Sequence, residues 1–171
     1  MPWKNGGGVT RDVAVFPQGA GMSDFLWRVS MADVVEAGPF STFEGIDRNI
    51  SILSGQLDLR IQGQTISLTP ARVGFRFHGE DPVMGEPIGG PVLDLNVMTW
   101  REAYWAEVQA LGSAVATTDP NAEVTLLLAL NGCTLLDHEL QRHDALLIDG
   151  DDLRHSAIGF LPIIVIAIRR K

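Results

Sequence analysis

The sequence predicts an all-β protein in which one chain forms two similar halves. Three observations support this prediction. Short apolar runs with alternating or β-branched residues recur along the whole chain. Glycine and proline, at 18 and 9 of the 171 residues, are frequent enough to supply many tight turns. The order of strands and turns in the first half also returns in the second half.

The segments with the pattern of strands follow one another at short intervals. In chain order they are Val9–Phe16, Phe25–Met31, Ile50–Leu53, Gln56–Ile61, Thr65–Leu68, Val73–Phe77, Val92–Met98, Glu123–Ala129, Cys133–Leu136, Ala145–Ile148 and Ile163–Ile168. Turns are expected at pairs such as Gly38-Pro39 and Asn131-Gly132. One segment is ambiguous, because Thr99-x-x-Glu102 could cap a helix, whereas Tyr104–Ala110 also alternates like a strand. We favour the strand.

The internal repeat refines the fold prediction. A strand ending in a turn at Gly55 is followed by a hairpin, a corner at 68–73, a glycine-rich loop and a closing strand at 92–97. The same order runs from Gly132 through a corner at 140–145 to a closing strand at 163–168. This order is typical of a cupin barrel. We therefore predict a double (bicupin), RmlC-like jelly-roll fold, with one half over 1–100 and a second, mainly structural half over 101–171.

The charge balance and the apolar runs exclude some classes of partner. The formal net charge is −8, whereas a general nucleic-acid binder needs a surplus of Lys and Arg on one face. The longest apolar run, 158–168, is interrupted by Gly159 and Pro162 and is too short to span a bilayer. Cys133 is the only cysteine, so no intrachain disulfide can form. We expect a cytoplasmic protein that binds neither nucleic acid nor membrane, and the sequence leaves a homodimer open.

Neither half carries the metal ligands that cupins often use. Metal-binding cupins place a His-x-His cluster and a glutamate before the glycine turn, but here Arg48 lies in that region, where it would repel a cation. His138 and His143 are five residues apart, which does not match the His-Glu-x-x-His spacing of zinc sites. We therefore expect no metal and no cofactor.

Three sequence strings in the first third of the chain are too specific to be general features of β proteins. They are Pro-Trp-Lys-Asn-Gly-Gly-Gly-Val-Thr-Arg at 2–11, Trp-Arg-Val-Ser-Met-Ala-Asp at 27–33, and Gly-Pro-Phe-Ser-Thr-Phe-Glu-Gly-Ile-Asp-Arg at 38–48. Together with the turn at Gly55 and the string Asp-Leu-Asn-Val-Met at 94–98, they resemble the HutD/Ves family. Members are similar to cupins, are often encoded with histidine-utilisation enzymes and are not established as catalysts. They usually carry a short strand before the first string, so we expect this chain to start late or to be trimmed.

The resemblance implies a role in governing histidine or urocanate breakdown, with a small carboxylate as the signal. Physical properties of the strings suggest where that carboxylate would bind. Gly6-Gly7-Gly8 can present backbone N–H groups to an anion, and Arg48 stands where a cupin ligand would point into the cavity. In the strand at 27–32, Arg28 shares a face with Ser30 and Ala32. The predicted carboxylate contacts are Arg48, Arg28, Lys4 and Asn5.

The two arginines also have a purely structural interpretation. An arginine that points into a barrel must be paired, and Asp33, Glu44 and Asp47 are candidate partners. On this interpretation, Arg28–Asp33 and Arg48–Asp47 would be ion pairs that hold the N-terminal strings together.

His78 is a further candidate, since it lies near the predicted mouth of the first half. It could contact the ligand or, with Glu80 or Asp81, transfer protons, but we favour a surface position without a functional role. Three functions therefore stay open. The favoured one is a metal-free protein that binds a carboxylate such as urocanate or formiminoglutamate and modulates histidine catabolism. The others are a metal-independent enzyme acting on a small carboxylic acid, and an acidic protein that docks on a pathway enzyme or regulator.

Overall fold

The structure is a computed structural model that describes residues 8–111, 119, 121–135, 137–149 and 162–171. Every regular element over these residues is a β-strand, and every strand pair is antiparallel. The prediction of an all-β protein is therefore confirmed for the described part of the chain. In that part, no helix has the length and apolar character needed to cross a membrane.

The strands are numbered in chain order. They are β1 (Gly8–Phe16), β2 (Trp27–Val34), β3 (Gly38–Pro39), β4 (Ile46–Ser54), β5 (Leu57–Ile61), β6 (Gln64–Leu68), β7 (Phe75–His78), β8 (Val83–Pro87), β9 (Val92–Trp100), β10 (Tyr104–Leu111), β11 (Val124–Ala129), β12 (Cys133–Leu135), β13 (His138–Leu140), β14 (Ala145–Asp149) and β15 (Ile163–Arg170). The chain divides into two compact units, Met1–Ala103 and Tyr104–Lys171.

The first unit contains two sheets. One has the strand order β1-β2-β9-β4-β7 and the other the order β3-β8-β5-β6. Ile50 and Ile52 of the five-stranded sheet share a buried core with Leu57 and Leu59 of the four-stranded sheet, so the two sheets pack face to face. This arrangement of antiparallel sheets is cupin-like. That the chain forms two closed barrels stays a prediction.

The second unit contains a four-stranded sheet of order β10-β15-β11-β14 and the two-stranded pair β12-β13. Its core is formed by Leu127, Leu135, Leu140 and Ile163 together with neighbouring apolar residues. The ambiguous segment after Trp100 is a strand, as favoured, because β10 pairs residue for residue with β15. The extensive ladder of hydrogen bonds along β15 explains why the helical alternative is not realised.

Three short strands were not predicted from the sequence: β3, β8 and β13. Gly38–Pro39, predicted as a turn, is instead a two-residue strand paired with Met84 and Gly85 of β8. Glycine and proline give the sequence of β8 a low strand propensity. The glycine at position 85 is explained by packing. A Cβ atom there would lie 2.5 Å from Cε1 of Phe40, so only glycine leaves room for that ring.

Candidate functional site

The five-stranded sheet of the first unit carries polar side chains on the face that packs towards the other sheet. Residues paired directly across an antiparallel ladder share a face. Arg28 of β2 and Arg48 of β4 both pair with Met98 of β9, and Ser30 and Ile50 both pair with Asn96. Because Ile50 belongs to the core between the two sheets, this face points inwards. We call the set Arg28, Ser30, Arg48, Asp94 and Asn96 the polar inner face.

Arg48 is buried, with 7% of its surface exposed. Its Nη2 donates to Oδ1 of Asn96 at 2.9 Å, and its Nη1 donates to the backbone oxygen of Ser41 at 3.1 Å. Its guanidinium carbon lies 5.0–5.7 Å from the ring centres of Phe40, Phe43 and Phe77, which provide cation–π contacts. Nε of Arg48 is buried and has no partner among the described residues. Within the described part of the chain, the cation is thus held by neutral acceptors and aromatic rings, and its Nε–H makes no hydrogen bond.

Arg28 is also buried, but its charge is balanced. Its Nε and Nη2 lie 2.6 and 2.5 Å from Oδ1 of Asp12 on β1, whose side chain is half exposed. The sulfur of Met22, in the loop between β1 and β2, contacts Nη1. The two arginines therefore differ, since Arg28 has a direct carboxylate partner and Arg48 has none among the described residues.

Asp94 lies on the same face, two residues before Asn96. Nδ2 of Asn96 donates to its Oδ1 at 3.0 Å, while its buried Oδ2 has no partner among the described residues. Burial raises the pKa of Asp94 to about 7, against the opposing effects of the Asn96 hydrogen bond, the charge of Arg48 and a backbone hydrogen bond from Ala32. Burial also lowers the pKa of Arg48 to about 10, so its guanidinium stays charged at neutral pH. The polar inner face therefore holds an excess of positive charge whenever Asp94 is protonated.

His78 belongs to a different part of the first unit. It pairs with Asp47, on the opposite face of the sheet from Arg48, and its side chain is 59% exposed. Its Nδ1 lies 3.1 Å from Oδ1 of Asp47, which also accepts from Nε of Arg101 at 2.6 Å. Arg101 in turn donates to both oxygens of Glu80 at 2.7 and 2.8 Å. The structure thus brings Arg28 and Arg48 to one face and places His78 on the other.

Arg101 also lowers the pKa values of the two carboxylates that it contacts, Asp47 and Glu80. Its hydrogen bonds lower the pKa of Glu80 to about 2. Partial burial raises the pKa of Asp47, but hydrogen bonds from Arg101 and His78 outweigh that effect and the net pKa is lowered. The His78 ring contacts Asp47, whereas the partners predicted from the sequence were Glu80 and Asp81. The carboxylates here are held ionised by an arginine, which is an arrangement typical of a structural clamp.

The two ion pairs of the structural interpretation, Arg28–Asp33 and Arg48–Asp47, are wrong. Asp33 binds Arg11 on β1, with Nη2 and Oδ2 3.0 Å apart, and Asp47 binds Arg101. The reason is the alternation of side chains along a strand. Asp33 is an odd number of residues from Arg28, and Asp47 is adjacent to Arg48, so each carboxylate points to the face opposite its proposed partner.

Two predicted contacts, Lys4 and Asn5, lie outside the described residues and stay predictions. Asp12, Asp94 and Asn96 belong to the site but were not predicted from the sequence. A signal for two of them was available, because Asp94 and Asn96 interrupt the otherwise apolar strand at 92–98 at positions two apart. Polar residues at that spacing share a face of a strand.

A divalent metal, which the cupin likeness would suggest, does not fit these residues. Within the described ranges, no group of three or more His, Cys, Asp or Glu side chains is placed to hold a metal ion. The donors of Arg48 are N–H groups, and they suit an anion rather than a cation.

Fold and site together define an antiparallel β protein whose first unit buries a cationic site. The chain belongs to the HutD family, since the HutD family model matches residues 1–160. This membership confirms the resemblance inferred from the strings in the first third of the sequence.

Several relatives support this membership. A Pseudomonas putida protein named "Uncharacterized 21.2 kDa protein in hutC 3'region" is 34% identical over 159 residues, covering 89% of this chain and 83% of its own. Protein Ves of Cronobacter sakazakii is 31% identical over 140 residues, covering 81% and 75%. The solved structure of HutD from Pseudomonas fluorescens SBW25 has a TM-score of 0.83 at 29% identity, covering 100% of this chain and 93% of that chain.

A more distant structure shows similarity of fold alone. The putative glyoxylate-induced protein from Pseudomonas aeruginosa is 12% identical and has a TM-score of 0.61, covering 96% of this chain and 81% of that chain.

Proposed function

We propose that this chain is a metal-free protein that binds a small carboxylate and thereby modulates histidine breakdown. The observation that carries the proposal is Arg48, a buried guanidinium with an unused Nε–H and no direct carboxylate partner among the described residues. Burying a charge without a counter-charge is costly. A bound carboxylate would supply a negative charge beside Arg48 and accept a hydrogen bond from its Nε–H.

The surroundings of Arg48 favour a carboxylate over other anions. Nε–H and an Nη–H of a guanidinium form a planar two-pronged donor that matches the two oxygens of a carboxylate. Phe40, Phe43 and Phe77 line the guanidinium and would give a small organic acid an apolar wall. Urocanate and formiminoglutamate both combine a carboxylate with a small organic body, so they are our candidates.

The link to histidine breakdown rests on the family. The chain belongs to the HutD family, and the Pseudomonas putida relative is named for the region beside hutC. A carboxylate intermediate of the same pathway would report how much histidine is being degraded. A cytoplasmic location is part of this proposal, because the signal would be read where the pathway operates.

Calorimetry with urocanate and formiminoglutamate tests the proposal. We expect at least one of them to bind the wild type, and Arg48→Met to weaken binding by about 100-fold. That loss corresponds to charged hydrogen bonds worth ~2–3 kcal/mol. The matched control is Arg60→Met, which removes an exposed arginine paired with Glu86 on the four-stranded sheet and should leave binding unchanged. Absence of binding at millimolar concentration, or equal affinity in Arg48→Met, would contradict the proposal.

A further inference from the structure

A chain of buried hydrogen bonds connects Arg48 to a carboxyl group that contacts no cation directly among the described residues. Nη2 of Arg48 donates to Oδ1 of Asn96, and Nδ2 of Asn96 donates to Oδ1 of Asp94. The two neighbours fix the orientation of the Asn96 amide, because its oxygen must face the donor and its NH2 must face the acceptor. Asp94 is 1% exposed, and its second oxygen has no partner among the described residues. This geometry is unusual for an aspartate with a purely structural role, which would normally have both oxygens satisfied.

We propose that Asp94, acting through Asn96 as a positioning residue, makes the capture of a carboxylate at Arg48 dependent on uptake of a proton. This inference rests on the function proposed above. It adds a regulatory property to that site, namely that one buried side chain decides whether the site accepts an anion.

The mechanism follows from the charges. An ionised Asp94 compensates Arg48, and a carboxylate at Arg48 would then be a second negative charge in the same poorly solvated region. A protonated Asp94 leaves Arg48 as an uncompensated cation, which favours an incoming anion. Since the bound anion repels the ionised form of Asp94, binding also draws a proton onto Asp94.

The other charged groups around Asp94 do not remove this coupling. On β2, Asp33 raises the pKa of Asp94, and on β4 Arg48 lowers it. Arg28 on β2, which pairs with Met98, and Asp12 on β1, which pairs with Ser30, lie on the same face and compensate each other. The facing sheet contributes apolar side chains to the core: Leu57, Leu59, Leu68 and Val83. Burial therefore has the largest effect and raises the pKa of Asp94 to about 7, so Asp94 would change its charge near neutral pH.

The first test needs no ligand. Nuclear magnetic resonance can follow the Asp94 carboxyl carbon and the Arg48 Nε–H in the wild type from about pH 5 to about pH 9. We expect both signals to move with one midpoint near neutrality. In Asp94→Asn the Arg48 transition should disappear, whereas in the matched control Asp33→Asn it should remain. The inference would be overturned if Asp94 titrates below about pH 5, or if the Arg48 signal does not change as Asp94 titrates. If Asp94→Asn does not fold, the measurement on the wild type alone decides between these outcomes.

The second test uses formate, a carboxylate that is fully ionised over this pH range. We expect its affinity for the wild type to fall by up to about tenfold per pH unit above neutrality. We also expect net proton uptake on binding, measured by calorimetry in buffers of different protonation enthalpy. Asp94→Asn should bind formate with a flat pH profile. Formate binding to the wild type with a flat profile would overturn only the role of Asp94, whereas no formate binding at any pH would overturn the carboxylate function itself.

Discussion

The two units of the chain bury different kinds of side chain, although both are built from antiparallel strands. In the first unit, the polar inner face buries two arginines, an aspartate and an asparagine. In the described part of the second unit, the buried side chains are apolar apart from Tyr104 and Thr125, and none of them carries a charge. Because buried charges usually lower the stability of a fold, their concentration in one unit indicates that this unit carries a chemical function. The fold alone does not distinguish the two units, so function must be inferred from the side chains.

The second unit, by contrast, has the composition of a stabilising element. Leu126, Leu127 and Leu128 of β11 are fully buried, and Leu127 packs with Leu135, Leu140 and Ile163. Substitutions in this core should therefore change stability strongly, whereas substitutions on the polar inner face should change binding and pH dependence.

The largest effect is expected from Leu127→Ala in the second unit. Removing a fully buried leucine leaves a cavity and should lower the free energy of unfolding by about 4 kcal/mol, measured by urea denaturation. Leu147→Ala is the matched control, since Leu147 is 42% exposed and should cost less than about 1 kcal/mol. Equal losses in the two variants would contradict the assignment of a tightly packed core to this unit.

Asp94→Asn should change how stability depends on pH. The pKa of Asp94 is raised to about 7 in the folded chain, so the unfolded chain releases this proton first as pH rises. Each pKa unit is worth about 1.4 kcal/mol, so the wild type should lose up to about 4 kcal/mol relative to Asp94→Asn between about pH 4 and about pH 7. Urea denaturation at several pH values measures the difference, with Asp33→Asn as control. Parallel profiles for wild type and Asp94→Asn would show that Asp94 is already ionised in the folded protein.

Arg48→Met should separate stability from binding. The methionine would lie among Phe40, Phe43 and Phe77 without a buried charge, so the free energy of unfolding should stay unchanged or rise by about 1 kcal/mol. The same variant should lose carboxylate binding. A loss of more than about 3 kcal/mol in unfolding free energy would instead show that Arg48 is mainly a structural residue.

The smallest effect is expected from His78→Ala. His78 is exposed and lies on the opposite face from the arginines, so its removal should leave carboxylate affinity unchanged within about twofold and stability within about 0.5 kcal/mol. Calorimetry and urea denaturation check both values. A large loss of affinity would restore His78 as a ligand contact.

Alternation along the strands explains what the sequence could and could not predict. It was sufficient to place Arg28 with Ser30 on one face of a strand, and it could also have excluded Asp33 as a partner of Arg28. The true partners depend on which strands are neighbours. Asp12 reaches Arg28 from β1, and Asn96 reaches Arg48 from β9, 48 residues further along the chain. No local pattern contains that pairing, because it is set by the strand order and register of the whole sheet.

The same limit applies to the fold. The long strands β4, β9 and β15 were recognisable from their apolar residues, whereas β3, β8 and β13 were not. Two of these contain glycine or proline, and β13 has only three residues, so their strand character comes from their partners rather than from their own propensity.

The most direct test of the central claim is to follow the Arg48 Nε–H by nuclear magnetic resonance while urocanate or formiminoglutamate is added to the wild-type protein. If the polar inner face holds a carboxylate, this signal should move in a saturable manner with at least one of the two ligands, because that N–H has no partner in the described structure. Saturable binding that leaves the Arg48 signal unchanged, or no binding by either ligand, would contradict the account.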